Sequence, residues 1–124
     1  TVEIEEVGRT YEEMWPSRVL VDVIEQNMKE LGLPVDLTYT DVAPMAATDM
    51  GNVSHKIPGV HCMYALGHPA TQHSPEFAAA CTGENGRRLT NSIAQSLALT
   101  AVDLLAAPEL LEKAKKELAG RTGY

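Results

Sequence analysis

All four histidines of this chain, His55, His61, His68 and His73, fall in one short window, and imidazole is the side chain best suited to metal ligation and proton transfer near neutral pH. They are not equivalent. His61 stands inside an apolar run and reads as a hydrogen-bonded core residue, while His55 and His68 stand in polar loops and read as solvated. His73 immediately precedes Ser74-Pro75-Glu76-Phe77, in which Ser74 can cap a helix, Pro75 is preset for its first turn and Glu76 complements its dipole. That context holds His73 in a fixed place, which is what a metal ligand requires. No HxD or HExxH spacing accompanies it, and His68 with His73 matches no zinc signature, so the sequence contains no self-sufficient metal site. Nucleophilic catalysis has no better footing, because there is no GxSxG elbow and no cysteine in an activating context. The acid pairs Glu5-Glu6 and Glu12-Glu13 suit general bases in principle but read as solvated carboxylates at a strand end.

The elements that must carry these groups alternate in type. Thr1 to Val7 shows an imperfect period of two and predicts a strand, and Val35 to Tyr39 predicts a second, short one. Between them, Leu20, Val23, Ile24, Met28 and Leu31 form a helical stripe, with Ser17 as N-cap and Gly32 with Pro34 as stop. Pro44 to Pro58 reads as a loop with at most a turn of helix, and the run Gly59 to Gly67 predicts a buried strand. Helices are predicted over Pro75 to Ala80, over Arg88 to Ala107 with Leu89, Ile93, Leu97, Ala101, Leu104 and Leu105 inward, and from Pro108 onward. In that last helix Leu110, Leu111, Ala114 and Leu118 face inward, and Glu109 with Lys113 and Glu112 with Lys116 pair outward. Strands interleaved with helices predict an α/β layer structure.

Composition limits the partners. The 124 residues are 44% hydrophobic and 22% charged, the balance of an ordinary soluble globular protein. Residues 1 to 41 hold ten acids against three bases, and the remainder holds seven of each, so the net charge of -7 lies in the first third. A nucleic-acid partner would need a cationic stripe, and none is present. No run of about 18 apolar residues exists to cross a membrane, and no secretory signal pattern is seen. Cys62 and Cys81 fit neither a CxxC pair nor a disulfide framework and read as reduced thiols of a cytoplasmic protein. The chain starts at Thr1, which suggests a processed or truncated piece of a longer protein.

From Ala46 onward several segments together resemble a known family: Ala47-Thr48-Asp49-Met50-Gly51-Asn52-Val53-Ser54, Ile57-Pro58-Gly59, Gly67, His73-Ser74-Pro75-Glu76-Phe77 and Leu97 to Leu105. They are similar to the C-terminal part of the zinc metallopeptidases that include aminoacylases, carboxypeptidase G and aminobenzoyl-glutamate hydrolases, nearest to the amidohydrolases like aminobenzoyl-glutamate utilisation proteins and the mammalian dipeptidases related to them. The resemblance spans about two thirds of the chain. It implies an α/β fold, the C-terminal portion of a zinc-peptidase catalytic domain with a mixed sheet and flanking helices, preceded by the last strand of a lid domain. Residues 1–13 would then belong to the lid, which also dimerises, and residues 14–124 to the catalytic domain.

The same resemblance implies that His73 is the last ligand of a two-zinc centre, other divalent metals being possible, and that the loop Thr48 to Ser54 lines the substrate cleft. Thr48, Asn52 and Ser54 have hydroxyl and amide groups fit to bind a substrate carboxylate or amide, and Asp49 either joins them or orients the loop. The family's HxD motif, bridging Asp and Glu-Glu pair are missing, and the surroundings of Glu12-Glu13 do not match that pair. No catalytic residue is therefore expected in this chain, which should be inactive alone. It would serve an amidohydrolase, cleaving an N-acyl amino acid, a dipeptide or an aminobenzoyl-glutamate-like amide, whose remaining half carries those motifs. The rival reading is a non-catalytic module that binds a small molecule or another protein.

Overall fold

The structure, a computed structural model, describes residues 1–35 and 48–121. Five helices carry it: α1 (Arg18–Glu30), α2 (Met50–Ser54), α3 (Pro75–Thr82), α4 (Glu84–Ala106) and α5 (Pro108–Ala119). α1 starts where the sequence predicts, with the Ser17 hydroxyl accepting the Leu20 N–H. It stops at Gly32, whose φ of 68° is costly for other residues and lets Leu33 N–H reach back to Met28 O. α3 is capped by Ser74, which accepts the Phe77 N–H at 3.1 Å, and begins on Pro75.

α1 lies against α4 and α5, and α3 against α4. The apolar core is small: Val19, Leu20, Val21, Ile24, Leu66 and Ala114. The contact between α1 and α4 is finished by polar groups. Asn27 Nδ2 donates to Thr100 Oγ1 at 3.1 Å and to Asp103 Oδ2 at 2.8 Å, and the Thr100 hydroxyl donates to Ser96 O. Such bonds fix the register of two helices, since a one-residue shift would leave a buried amide without partners.

The expected mixed sheet is not what forms: among the described residues there is no strand. A ladder needs a second backbone within about 5 Å, and period-two alternation reports only where side chains would point if that backbone were there. Thr1 to Val7 has no such neighbour among the described residues, and Val2, Ile4 and Val7 are more than four-fifths exposed. The run Gly59 to Gly67 is irregular, with a single parallel bridge joining Gly59 to Pro16 and a bond from Ser17 N–H to Gly59 O. His61 is exposed within it instead of buried. Of Val35 to Tyr39, all but Val35 lies outside the described residues.

The stripe predicted for α4 is divided as well. Leu89, Ile93 and Leu104 are half-buried, whereas Leu97, Ala101 and Leu105 are exposed, Leu105 at 82%, and the buried residues of the helix are Gly86, Ser96 and Thr100. In α5 Ala114 is buried and Leu110 and Leu118 are half-buried, but Leu111 faces out. An outward ion pair forms between Glu112 and Lys115, one residue closer than the predicted spacing. The chain exposes 9441 Å² of surface, against about 6,500 Å² for a compact protein of this mass. No single described helix is long and apolar enough to cross a membrane.

Candidate functional site

The loop singled out in the sequence contains α2, one and a half turns of helix that is too short to be stable by itself. It is held by the segment Thr10 to Trp15. Asn52 engages that segment with both ends of its amide, Nδ2 donating to Thr10 O at 3.0 Å and Oδ1 accepting Glu12 N–H at 3.4 Å. Ser54 is fully buried, and its hydroxyl accepts Trp15 N–H at 2.8 Å while donating to Gly51 O at 2.7 Å. Gly51 has no side chain for a plain reason: a Cβ there would run into the Glu12 carbonyl. At the start of α2, the Thr48 hydroxyl accepts Met50 N–H at 3.3 Å, and Asp49 is exposed and makes no capping bond.

His55, expected to be solvated, completes this junction. Its Nδ1 is 3.2 Å from Glu12 Oε2, its Nε2 donates to Glu13 O at 3.0 Å, and its ring stacks on Trp15 with centroids 3.8 Å apart. Glu13 in turn accepts Trp15 Nε1–H at 3.0 Å. Glu12 and Glu13 remain exposed, as expected, and are engaged by His55 and Trp15 as well. One sequence signal pointed here: His55 directly follows the polar loop, and the only tryptophan follows the acid pair.

On the other side of Trp15, α5 ties in the entry to α1. Glu117 accepts the Ser17 hydroxyl at 2.7 Å and Arg18 N–H at 2.9 Å, and Arg121 donates to Pro16 O at 2.7 Å with its guanidinium 5.8 Å from the Trp15 ring centre. Burial pushes the Glu117 carboxyl up, but the bonds from Ser17 and from the backbone of Arg18 and Val19, with the Arg121 charge, outweigh it and hold the group below its ordinary value.

His73 stands apart from this cluster. It is exposed, and its φ of 65° places a non-glycine residue in the left-handed region immediately before the Ser74 cap. Strain of that kind persists where surrounding structure demands it, and it concentrates at functional sites. His68 is exposed, with Nδ1 accepting Ala70 N–H. No group of three His, Cys, Asp or Glu side chains able to hold a metal exists among the described residues. His73 offers one imidazole of suitable chemistry, and the described residues do not fit a complete zinc site. Both cysteines are free and half-buried, and burial pushes the Cys62 thiol up, away from the reactive thiolate.

Over 120 residues, 94% of its length, the chain is 32% identical to the mouse (Mus musculus) protein named Xaa-Arg dipeptidase. The human (Homo sapiens) protein of the same name is 31% identical over 118 residues. The chain is thus similar, over most of its own length, to proteins of that name. It spans 27% of the length of these curated relatives. No protein-family model matches the chain, and no solved structure does. Because the dipeptidase likeness leaves only the extreme ends aside, it extends across both the Thr48–Ser54 loop and His73. It agrees with the resemblance to metallopeptidases at the level of the dipeptidases, and not with aminoacylase or carboxypeptidase G in particular.

Proposed function

We propose that this chain is part of a metal-dependent amidohydrolase that cleaves dipeptides. The observation that carries the reading is the likeness to Xaa-Arg dipeptidases along 94% of the chain. A dipeptide with arginine at its C-terminal position is the first substrate to try, ahead of N-acyl amino acids and aminobenzoyl-glutamate-like amides. His73 supplies one imidazole to the metal centre, and the further ligands and the general base come from a companion part carrying HxD and Glu-Glu motifs. When bound, zinc or another divalent ion at such a centre supplies an acidified water and polarises the scissile carbonyl. Thr48 and Asp49, at the open start of α2, contact substrate, while Asn52 and Ser54 set the position of that helix. The dimer expected through residues 1–13 belongs to the same proposal.

The exposed side of α4 supports a companion. Ala94, Leu97, Ala98, Ala101, Val102 and Leu105 recur at helical spacing, and all six are exposed. An apolar stripe of that length is usually covered by another protein surface.

The test is co-purification. The chain is expressed with a candidate companion containing both motifs, the mass of each polypeptide and the metal content are measured, and hydrolysis of Xaa-Arg dipeptides is followed. A stable pair with about two metal ions that hydrolyses these dipeptides and loses activity with a chelator is expected. A chain that stays monomeric and metal-free beside every such companion would leave the non-catalytic binding module as the better description.

A further inference from the structure

We infer that Glu12 and His55 form a latch that fixes the Thr10–Trp15 segment to α2, which makes His55 a positioning residue for the Thr48–Ser54 loop. Residues 1–13 are exposed throughout, and among the described residues their hydrogen bonds to groups beyond Trp15 are made at Thr10, Glu12 and Glu13, to Asn52 and His55. Every one of these partners belongs to α2 or to the residue that ends it.

The direction of dependence follows from size. A five-residue helix does not hold its shape in water unless tertiary contacts fix it. The contacts available are the Asn52 amide on the backbone of Thr10 and Glu12, the Ser54 hydroxyl on Trp15 N–H, the bare Gly51 backbone under Glu12, and the His55 ring clasped between Glu12, Glu13 and Trp15. His55 is the partner that meets Glu12 and Glu13 with both ring nitrogens and stacks its ring on Trp15, and only 19% of its side chain is exposed. The segment is therefore a support of α2 and not an appendage lying on it. Anything that pulls on residues 1–9 reaches Thr48 and Asp49 through this junction. The inference rests on the proposed function in one respect, the role of that loop in holding substrate. Under the division at residue 13, the latch sits at the joint between lid and catalytic domain and couples lid position to the substrate loop.

The test needs neither metal, substrate nor companion. Amide hydrogen exchange is measured on the full chain over residues 10–16 and 48–56, together with the emission of Trp15, the chain's single tryptophan. Glu12→Ala and His55→Ala should each speed exchange in both windows by roughly tenfold, the scale expected for losing a hydrogen bond at a partly buried site. The double variant should do no more than either alone, because one contact is shared. His55→Phe keeps the stack and should restore the Trp15 emission without restoring slow exchange. Circular dichroism checks that the other helices persist, and Glu12→Gln, which keeps an acceptor, is the milder variant should Glu12→Ala unfold.

Faster exchange confined to residues 10–16 would show that the segment rests on α2 without supporting it and would overturn the inference. So would restoration of slow exchange by His55→Phe, which would reduce the junction to ring packing. A chain that passes these measurements but belongs to no dipeptidase loses the proposed function and keeps the latch. An active dipeptidase that fails them loses only the latch.

Discussion

Glu117 Oε2 accepts the Ser17 hydroxyl at 2.7 Å, so the residue that caps α1 is itself held by the last helix, a hundred positions along the chain. The same carboxylate takes Arg18 N–H, one of the free donors at the start of α1, and places a negative charge at the positive end of that helix. Glu117→Gln should lower stability by about 1–2 kcal/mol. The loss should depend on pH. Because the folded carboxyl is held below its ordinary value, its contribution is complete above the unfolded value of about 4.3 and disappears as the pH falls through the folded one. Urea unfolding at a series of pH values checks this, and a gap between wild type and variant that stays constant down to pH 3 would contradict it.

Asn27 is the polar centre of the contact between α1 and α4. Asn27→Asp should cost more than Asn27→Ala. The alanine loses two hydrogen bonds, at about 1–2 kcal/mol, while the aspartate also sets a second carboxylate against Asp103 within hydrogen-bonding distance. Thermal unfolding of the two variants at neutral pH decides the order.

Gly51→Ala is expected to destabilise although alanine is the better helix former by about 1 kcal/mol. The new methyl would occupy the place of the Glu12 carbonyl, so the segment must move or α2 must shift, at a cost of about 1–3 kcal/mol. An increase in melting temperature would mean that the close approach does not persist in solution.

His73 should show opposed effects on stability and function. Asparagine tolerates the left-handed backbone better than other non-glycine residues, so His73→Asn should leave the isolated chain as stable or slightly more so. In the assembled hydrolase the same change should reduce bound metal and hydrolysis together. Metal analysis beside a melting curve tests both halves, and full metal content in the variant would remove His73 from the proposed ligand set.

The outward stripe of α4 makes the last prediction. Leu105→Glu, at a position 82% exposed, should leave helix content and melting temperature unchanged in the isolated chain but weaken assembly with the companion. Analytical ultracentrifugation of the mixture reads this directly. A drop in stability of the isolated chain would place Leu105 in its own core.

Local signals account for what could be read in advance. Ser17, Gly32, Ser74-Pro75 and Pro108 mark helix ends because capping and stopping depend on a few neighbouring residues, and α1, α3 and α5 begin where those residues stand. The histidine-bearing loops and the likeness to dipeptidases were legible for a similar reason, since both rest on residue types in a fixed order. Pairing of strands was not, because an alternating segment such as Thr1 to Val7 carries no record of whether another backbone lies beside it. Nor could periodicity choose which side of α4 is covered, because Leu97 and Leu105 are as apolar as any core residue. The junction at Trp15 is the clearest case. Glu12, His55, Ser54 and Trp15 were each visible as residues, but forty positions separate the two sides, and contacts over that distance exist only once the chain has folded back on itself. Sequence determined the helix boundaries, the charge asymmetry and the likeness to dipeptidases; tertiary structure alone decided that His55 is clasped, that Asn52 and Ser54 hold backbone, and that the apolar side of α4 is left open.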